Sequence, residues 1–320
     1  MILSELVGYR SKINKLSADE FEDLADKALS KIIGDVTSDD PGLYHEQQDL
    51  IDLKKRILRN VDELKDQLNL YQRRLDDLVK ERQTPYIQQS YQQYEESKND
   101  TPEYIIDRHL FNTLIYKEEV QNYLLSRIKN YASWKFPGLF IRPESGTYLD
   151  PMITCSPLYV VDEHSILLEA TKKLWNTEFQ ERLRYKLSSE TADIHLKGIP
   201  QNQIGLAVVM NFFNYRPLEV IREYLTEMYN ILRPSGVCIF TYNNCDLPGS
   251  VRNVEKTMYS YTPGGLVQAM VESIGFEILN VVDYEDVNVS WLEIKKPGEL
   301  TTMRGGQELA KIIKHPTDII

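Results

Sequence analysis

IGLAVVMN (204–211), PLEVIREYLTEMYNILRPSG (217–236) and VCIFTYNN (237–244) follow one another almost without a gap. The first is a continuous apolar run with its polar residue at the end, the composition of a strand buried on both faces. In the second, Val220, Ile221, Leu225, Met228, Ile231 and Leu232 recur at helical spacing, and Pro234 to Gly236 stop the helix. The third reads as another buried strand. Strand, helix and parallel strand make one right-handed crossover unit of an α/β sheet.

The pattern extends in both directions. Upstream, strands are expected at Gly138–Ile141 and Leu158–Val161, a helix over Ser165–Leu183 and a short strand over 184–187. Downstream come a helix over Pro263–Ile274 and strands over Phe276–Tyr284 and Val289–Lys296. The last two are separated only by Glu285–Asn288, so they pair as an antiparallel hairpin. The expected class is α/β: a Rossmann-like, doubly wound sheet that closes on an antiparallel hairpin.

Everything before Trp134 differs in kind. Ser17 and Glu20 form a capping box ahead of an apolar face on Phe21, Leu24, Ala25, Leu29 and Ile32. From Leu50 the spacing becomes three and four: Leu50, Ile57, Leu64, Tyr71 and Leu78 alternate with Val61, Leu68 and Leu75, with Lys54 and Arg82 in the seam near its ends. That is the coiled-coil pattern. It predicts a long helix over 50–82 that pairs with a second copy or a partner protein, or else packs inside a small intramolecular bundle. Pro85 is expected to break it, and YIQQSYQQYEESKND (86–100) has no apolar face. The expected division is a helical region 1–97, a helical extension 98–133, the α/β domain 134–298 and a tail 299–320.

The chain has 320 residues, 42% of them apolar and 27% charged, which allows one large or two ordinary domains with a real core. A net charge of −11 argues against binding nucleic acid by phosphate neutralisation. Cys155, Cys238 and Cys245 are odd in number and lack metal spacing, as expected of reduced thiols. No stretch reaches the roughly 18 apolar residues of a membrane helix, so an unexported, cytoplasmic or particle-associated protein is expected. His164 and His195 are isolated, and no metal site is expected.

Several of these segments resemble class I methyltransferases that use S-adenosylmethionine. LTEMYNILRPSGVCIFTYNN (225–244) looks like the family's helix, Pro-Gly-Gly turn and strand, with Ser235 at the first glycine. Ile274-Gly275-Phe276 resembles the turn that ends a later helix. LYVVDEHS (158–165) resembles the second strand, whose closing acid holds the ribose hydroxyls; Asp162 matches it, with Glu163 adjacent. The resemblance implies a G-x-G-x-G loop after the first strand. The aligned stretch is Phe140 to Gly146, where Arg142 and Glu144 stand at two glycines and only Gly146 remains. It further implies S-adenosylmethionine contacts from Arg142, Glu144, Ser145, Gly146, Asp162 and Glu163, with Asp193, Gly198 and Ile199 near the adenine. Asn211 and Tyr215, after the strand 204–211, would line the acceptor side as the catalytic pair, while Phe212 and Phe213 read as core or pocket wall.

The sequence accommodates two functions. One is a methyltransferase of unknown acceptor, in which the protein mainly aligns nucleophile and methyl. The other is a catalytically inactive structural or adaptor subunit, assembled through the 50–82 helix into a larger complex such as a virion. Asp162 favours the first, and the lost glycines favour the second.

Overall fold

The computed structural model describes residues 3–14, 27, 44–111, 117–144, 146–174, 177–188, 195–256, 259–284 and 289–298. The expected helix after Ser17, the turn near Asp39 and the tail 299–320 lie outside these residues. The chain divides into two compact units, Met1–Thr84 and Pro85–Ile320.

In the first unit, helix α1 (Leu3–Asn14) buries Leu3, Leu6 and Val7, and its Arg10 lies 3.8 Å from Asp76. Asp76 belongs to α2, a helix that runs Tyr44–Ser97. The expected seam splits along α2. Val61, Leu68 and Leu75 are partly covered together with Lys65, Gln72 and buried Val79, whereas Leu64, Tyr71 and Leu78 are 58%, 55% and 42% exposed.

The expected break at Pro85 does not occur, because α2 continues through it. Proline removes a helical hydrogen bond, but the following turns are held from outside. Tyr86, Ser90 and Tyr94 recur every fourth residue, the spacing of one helix face. Tyr86 Oη donates to Glu255 at 3.3 Å, Tyr261 N–H donates to Ser90 Oγ at 2.7 Å, and Tyr94 is buried. The face missed in the sequence is thus made of tyrosine and serine instead of aliphatic residues. Next come α3 (Pro102–Ile106), with Thr101 as its N-cap, a π-helical turn (Asp107–Phe111) and α4 (Glu118–Tyr131).

The sheet follows. Its strands are β1 (Gly138–Ile141), β2 (Leu158–Asp162), β3 (Leu183–Leu187), β4 (Ile204–Val209), β5 (Leu232–Tyr242), β6 (Glu277–Tyr284) and β7 (Val289–Lys295). They lie in the order β3-β2-β1-β4-β5-β7-β6. β1 to β5 are parallel, and β7 inserts antiparallel between β5 and β6. The helices are α5 (Ser165–Leu174) and α6 (Thr177–Gln180), where a helix was expected to run to Leu183, which instead opens β3, then α7 (Leu218–Ile231), α8 (Pro248–Lys256) and α9 (Gly264–Ile274).

The central strands are apolar throughout because both faces are covered. Leu139, Ile141, Ala207 and Val209 point into one core with Val220, Ile221, Leu225 and Met228 of α7. Phe140, Leu206, Val208 and Ile239 point into the other, against Val120, Leu124 and Ile128 of α4. Gly275 ends α9 at φ 109°, a left-handed cap that a β-carbon disfavours. Ser235 holds φ 60° in the bend of β5 and donates its N–H to the Lys296 carbonyl.

Strand order reverses between β1 and β4. In open α/β sheets that switch point, at the carboxyl ends of the strands, is where ligands bind. Here it brings together the residues following β1, β2 and β4.

Candidate functional site: a charge cluster at the strand ends

The loop after β1 places left-handed backbone on two residues that carry a β-carbon. Arg142, Glu144 and Gly146 have φ of 51°, 47° and 83°, so the left-handed conformation falls on the three positions where the resemblance put glycine. For a residue with a β-carbon this conformation is strained by about 1–2 kcal/mol. Two of the three accept that strain. Asn211, after β4, is also left-handed at φ 54°, which its short polar side chain tolerates better.

The side chains fold over the strand ends and pair with one another. Arg142 is 1% exposed. Its Nη2 donates to Glu163 Oε2 at 3.1 Å, and its Nε faces Asp162 Oδ2 at 3.5 Å. Arg216 donates to the same Glu163 oxygen, and Tyr224 Oη donates to Glu163 Oε1 at 2.9 Å. Both guanidiniums stand over the Phe212 ring, at 4.7 Å for Arg142 and 4.5 Å for Arg216. One carboxylate is therefore held by two guanidiniums and a phenol against an aromatic wall. Charge-assisted bonds of this kind are about twice as strong as neutral ones.

A second layer sits beside it. Asn211 Nδ2 donates to Glu144 Oε2 at 3.2 Å, and Asn211 N–H donates to Thr241 Oγ1 at 2.7 Å. His109, from the π-helical turn, accepts from Arg142 Nη1 at 3.4 Å through Nε2, while its Nδ1 lies 3.8 Å from Glu144. Tyr215 stacks on Tyr259 with centroids 4.9 Å apart, and Arg108 lies 4.3 Å above the Tyr215 ring. Tyr94 of α2 stands 5.1 Å from the Arg216 guanidinium.

The electrostatics follow from this packing. Burial alone would raise the Glu163 pKa, but Arg216 and Arg142 outweigh it and bring it down to about 2. Asp162 is raised by burial, which Arg142 and the His164 N–H only partly offset. Burial pushes Glu144 up to about 8, against the opposing hydrogen bond from Asn211 and the charge of Arg142. His109 is held far below its usual range by burial and by Arg142, Arg108 and Arg216, so it is neutral.

Of the residues singled out in the sequence, Arg142, Glu144, Asp162, Glu163 and Asn211 meet in this cluster, with Tyr215 at its rim and Gly146 in the loop. Ser145 and Asp193 lie outside the described residues. Gly198 and Ile199 are not brought there. Ile199 is in the core, and Gly198 lines a cavity of about 320 Å³ with Lys197, Gln201 and Glu227, beside Asn230 and Ile231 at the end of α7. Arg216, Tyr224, His109 and Tyr94 were missed. Arg216 was visible as a lone cation between Tyr215 and Pro217 in an otherwise apolar stretch, whereas His109 and Tyr94 come from segments with no sequence link to the strands.

S-adenosylmethionine does not fit these residues as they stand. Asp162, the acid that would hold ribose, is 1% exposed and faces Arg142. The close-approach positions of the loop carry the Arg142 and Glu144 side chains, both buried. No group of three or more metal-ligating side chains occurs among the described residues, and none of their helices is long and apolar enough to cross a membrane.

No protein-family model matches the sequence, and no curated protein does. Solved structures match in shape. A putative sarcosine dimethylglycine methyltransferase from Galdieria sulphuraria is 12% identical, over 57% of this chain and 92% of that one, with a TM-score of 0.47. The N-methyltransferase NodS from Bradyrhizobium japonicum, solved with S-adenosyl-l-homocysteine, is 16% identical over 66% and 100%, with a TM-score of 0.44. The [4+2]-cyclase SpnF is 10% identical over 56% and 81%, with a TM-score of 0.43. At such identities and scores no activity carries over. Five parallel strands in the order 3-2-1-4-5, closed by an antiparallel β7 between β5 and β6, give the C-terminal part of this chain a Rossmann-like, methyltransferase-type fold.

Proposed function

We propose that the α/β domain is a methyltransferase-fold module working as a structural or adaptor unit, its cofactor cleft filled by its own side chains. The observation that carries this is the Arg142–Glu163–Arg216 cluster, buried at the carboxyl ends of β1, β2 and β4. A ligand there would have to displace a paired carboxylate and two guanidiniums, and leaving any of them buried and unpaired costs about 3–5 kcal/mol. Assembly would run through the 50–82 helix, whose Leu64, Tyr71 and Leu78 form an exposed apolar row at seven-residue spacing.

The competing function, S-adenosylmethionine-dependent methyl transfer to an unknown acceptor, is favoured by two observations. The left-handed backbone at 142, 144 and 146 and the acid at the end of β2 are both retained. Calorimetric titration of the whole chain with S-adenosylmethionine and with S-adenosylhomocysteine decides between them. No heat and no thermal shift at millimolar ligand are expected. Micromolar binding that is lost in Asp162→Ala would overturn the proposal and justify a search for the acceptor.

A further inference from the structure

The segment Tyr86–His109 crosses the carboxyl edge of the sheet and covers the charge cluster, and three features set it apart from the core beneath. Its contacts with the cluster and its rim are polar or aromatic: Tyr86 on Glu255, Ser90 on Tyr261, Tyr94 on Arg216, Arg108 on Tyr215 and His109 on Arg142, with Tyr94 also joining the apolar core. Its buried apolar side chains among the described residues are only Tyr94 and Ile105. Beyond α2 it contains only a five-residue helix and a five-residue π-helical turn, lengths that are marginal without tertiary support.

The ion pairs of the cluster are made without the segment. Glu163, Arg142, Arg216, Tyr224 and Asp162 all come from residues 142–224 and pair among themselves. What the cover does is keep water out. Arg216 Nε is buried with no hydrogen-bond partner, and Arg142 Nε meets Asp162 Oδ2 only as an ion pair at 3.5 Å. A buried polar group left unpaired carries a desolvation penalty of about 1–3 kcal/mol, which returning water relieves. Uncovering the cluster therefore loses few apolar contacts and recovers solvation of ionic groups.

We propose that Tyr86–His109 is a strap that opens as a unit while the sheet stays folded, exposing the Arg142 and Arg216 guanidiniums to solvent. This goes beyond the structural function proposed above and is tested separately from it, since a sealed strap would leave the titration result untouched. Elements held by few apolar contacts open below the free energy of global unfolding.

Two measurements on the full chain test it. In native-state hydrogen exchange at low urea, amides of 86–109 should exchange at least about tenfold faster than those of β4 and β5, with a weaker urea dependence. Phenylglyoxal labelling should modify Arg142 and Arg216 at the strap-opening rate, and Tyr94→Ala should raise that rate by about tenfold, in line with loss of one desolvated cation–π contact. Exchange of 86–109 at the free energy of β4 and β5, or labelling of both arginines only in step with global unfolding, would overturn the proposal. A Tyr94→Ala chain that fails to fold leaves the wild-type exchange and labelling decisive.

Discussion

Replacing Glu163 by alanine removes the one carboxylate that both buried guanidiniums share. A carboxyl whose pKa falls from 4.5 to about 2 on folding gains about 3 kcal/mol as its ionised form. Breaking a buried ion pair by deleting one partner costs about 3–5 kcal/mol, because the other charge is stranded. Here Arg216 loses its carboxylate partner, Arg142 keeps only Asp162 at 3.5 Å, and Tyr224 loses the oxygen to which it donates at 2.9 Å. Urea unfolding at neutral pH, followed by circular dichroism, should show the midpoint falling by about 1–2 M at a slope of about 2–3 kcal/mol per molar. Glu163→Gln keeps the shape and one acceptor and should lie between. A Glu163→Ala midpoint within about 0.3 M of wild type would refute the idea that the cluster is dry and mutually dependent. The pH dependence gives a second check. The folded pKa of Glu163 is depressed, so its contribution is complete above about 4.5 and is lost as pH falls through about 2.

Glu144 behaves oppositely. Its folded pKa is raised to about 8, so its contribution is complete below 4.5 and is lost as pH rises through about 8. Glu144→Gln should therefore flatten the alkaline decline, with urea midpoints matching wild type at pH 5 and exceeding it at pH 8.5; equal midpoints at both would sink the assignment. Gly275→Ala places a β-carbon at φ 109° and 3.4 Å from Tyr229, and should lower stability by about 1–2 kcal/mol in thermal unfolding. Light scattering should give a mass above the 37.3 kDa monomer that falls in Leu64→Glu/Tyr71→Glu, since both side chains are more than half exposed in the single chain. A wild-type monomer at micromolar concentration would count against assembly through this helix.

The fold was readable where periodicity is strong and both faces of a strand are buried. IGLAVVMN and VCIFTYNN became adjacent parallel strands, and the four residues between Tyr284 and Val289 forced the hairpin. Pro85 was misread because a local rule was applied to a helix held by distant contacts: Ser90 and Tyr94 anchor it to Tyr261 and Arg216, which lie 171 and 122 positions away. At the strand ends, Arg142, Glu144, Asp162, Glu163 and Asn211 come together because β1, β2 and β4 are neighbours in the sheet. Their pairing with each other was not foreseen. Resemblance to a binding family supplies a ligand as the partner of each residue, whereas Arg216 and Tyr224 supply internal partners that no motif announces.

The strained loop ties these points together. Arg142 and Glu144 hold a left-handed backbone that glycine adopts freely. Such conformations persist only where surrounding contacts over-determine them. For Arg142 the compensation is visible: its guanidinium bonds Glu163 and His109 and lies against Phe212. For Glu144 it is the bond from Asn211, itself left-handed. Each strained backbone position is thus matched by a side chain locked into the cluster. Had the loop merely lost its glycines under no constraint, the chain would be free to relax to φ < 0, where arginine and glutamate carry no penalty. It stays left-handed because that conformation aims both side chains inward, where the ion pairs among Arg142, Glu163 and Arg216 outweigh strain of a few kcal/mol. The loop's shape seats the protein's own charges, which is the physical reason for proposing a structural task for this cleft.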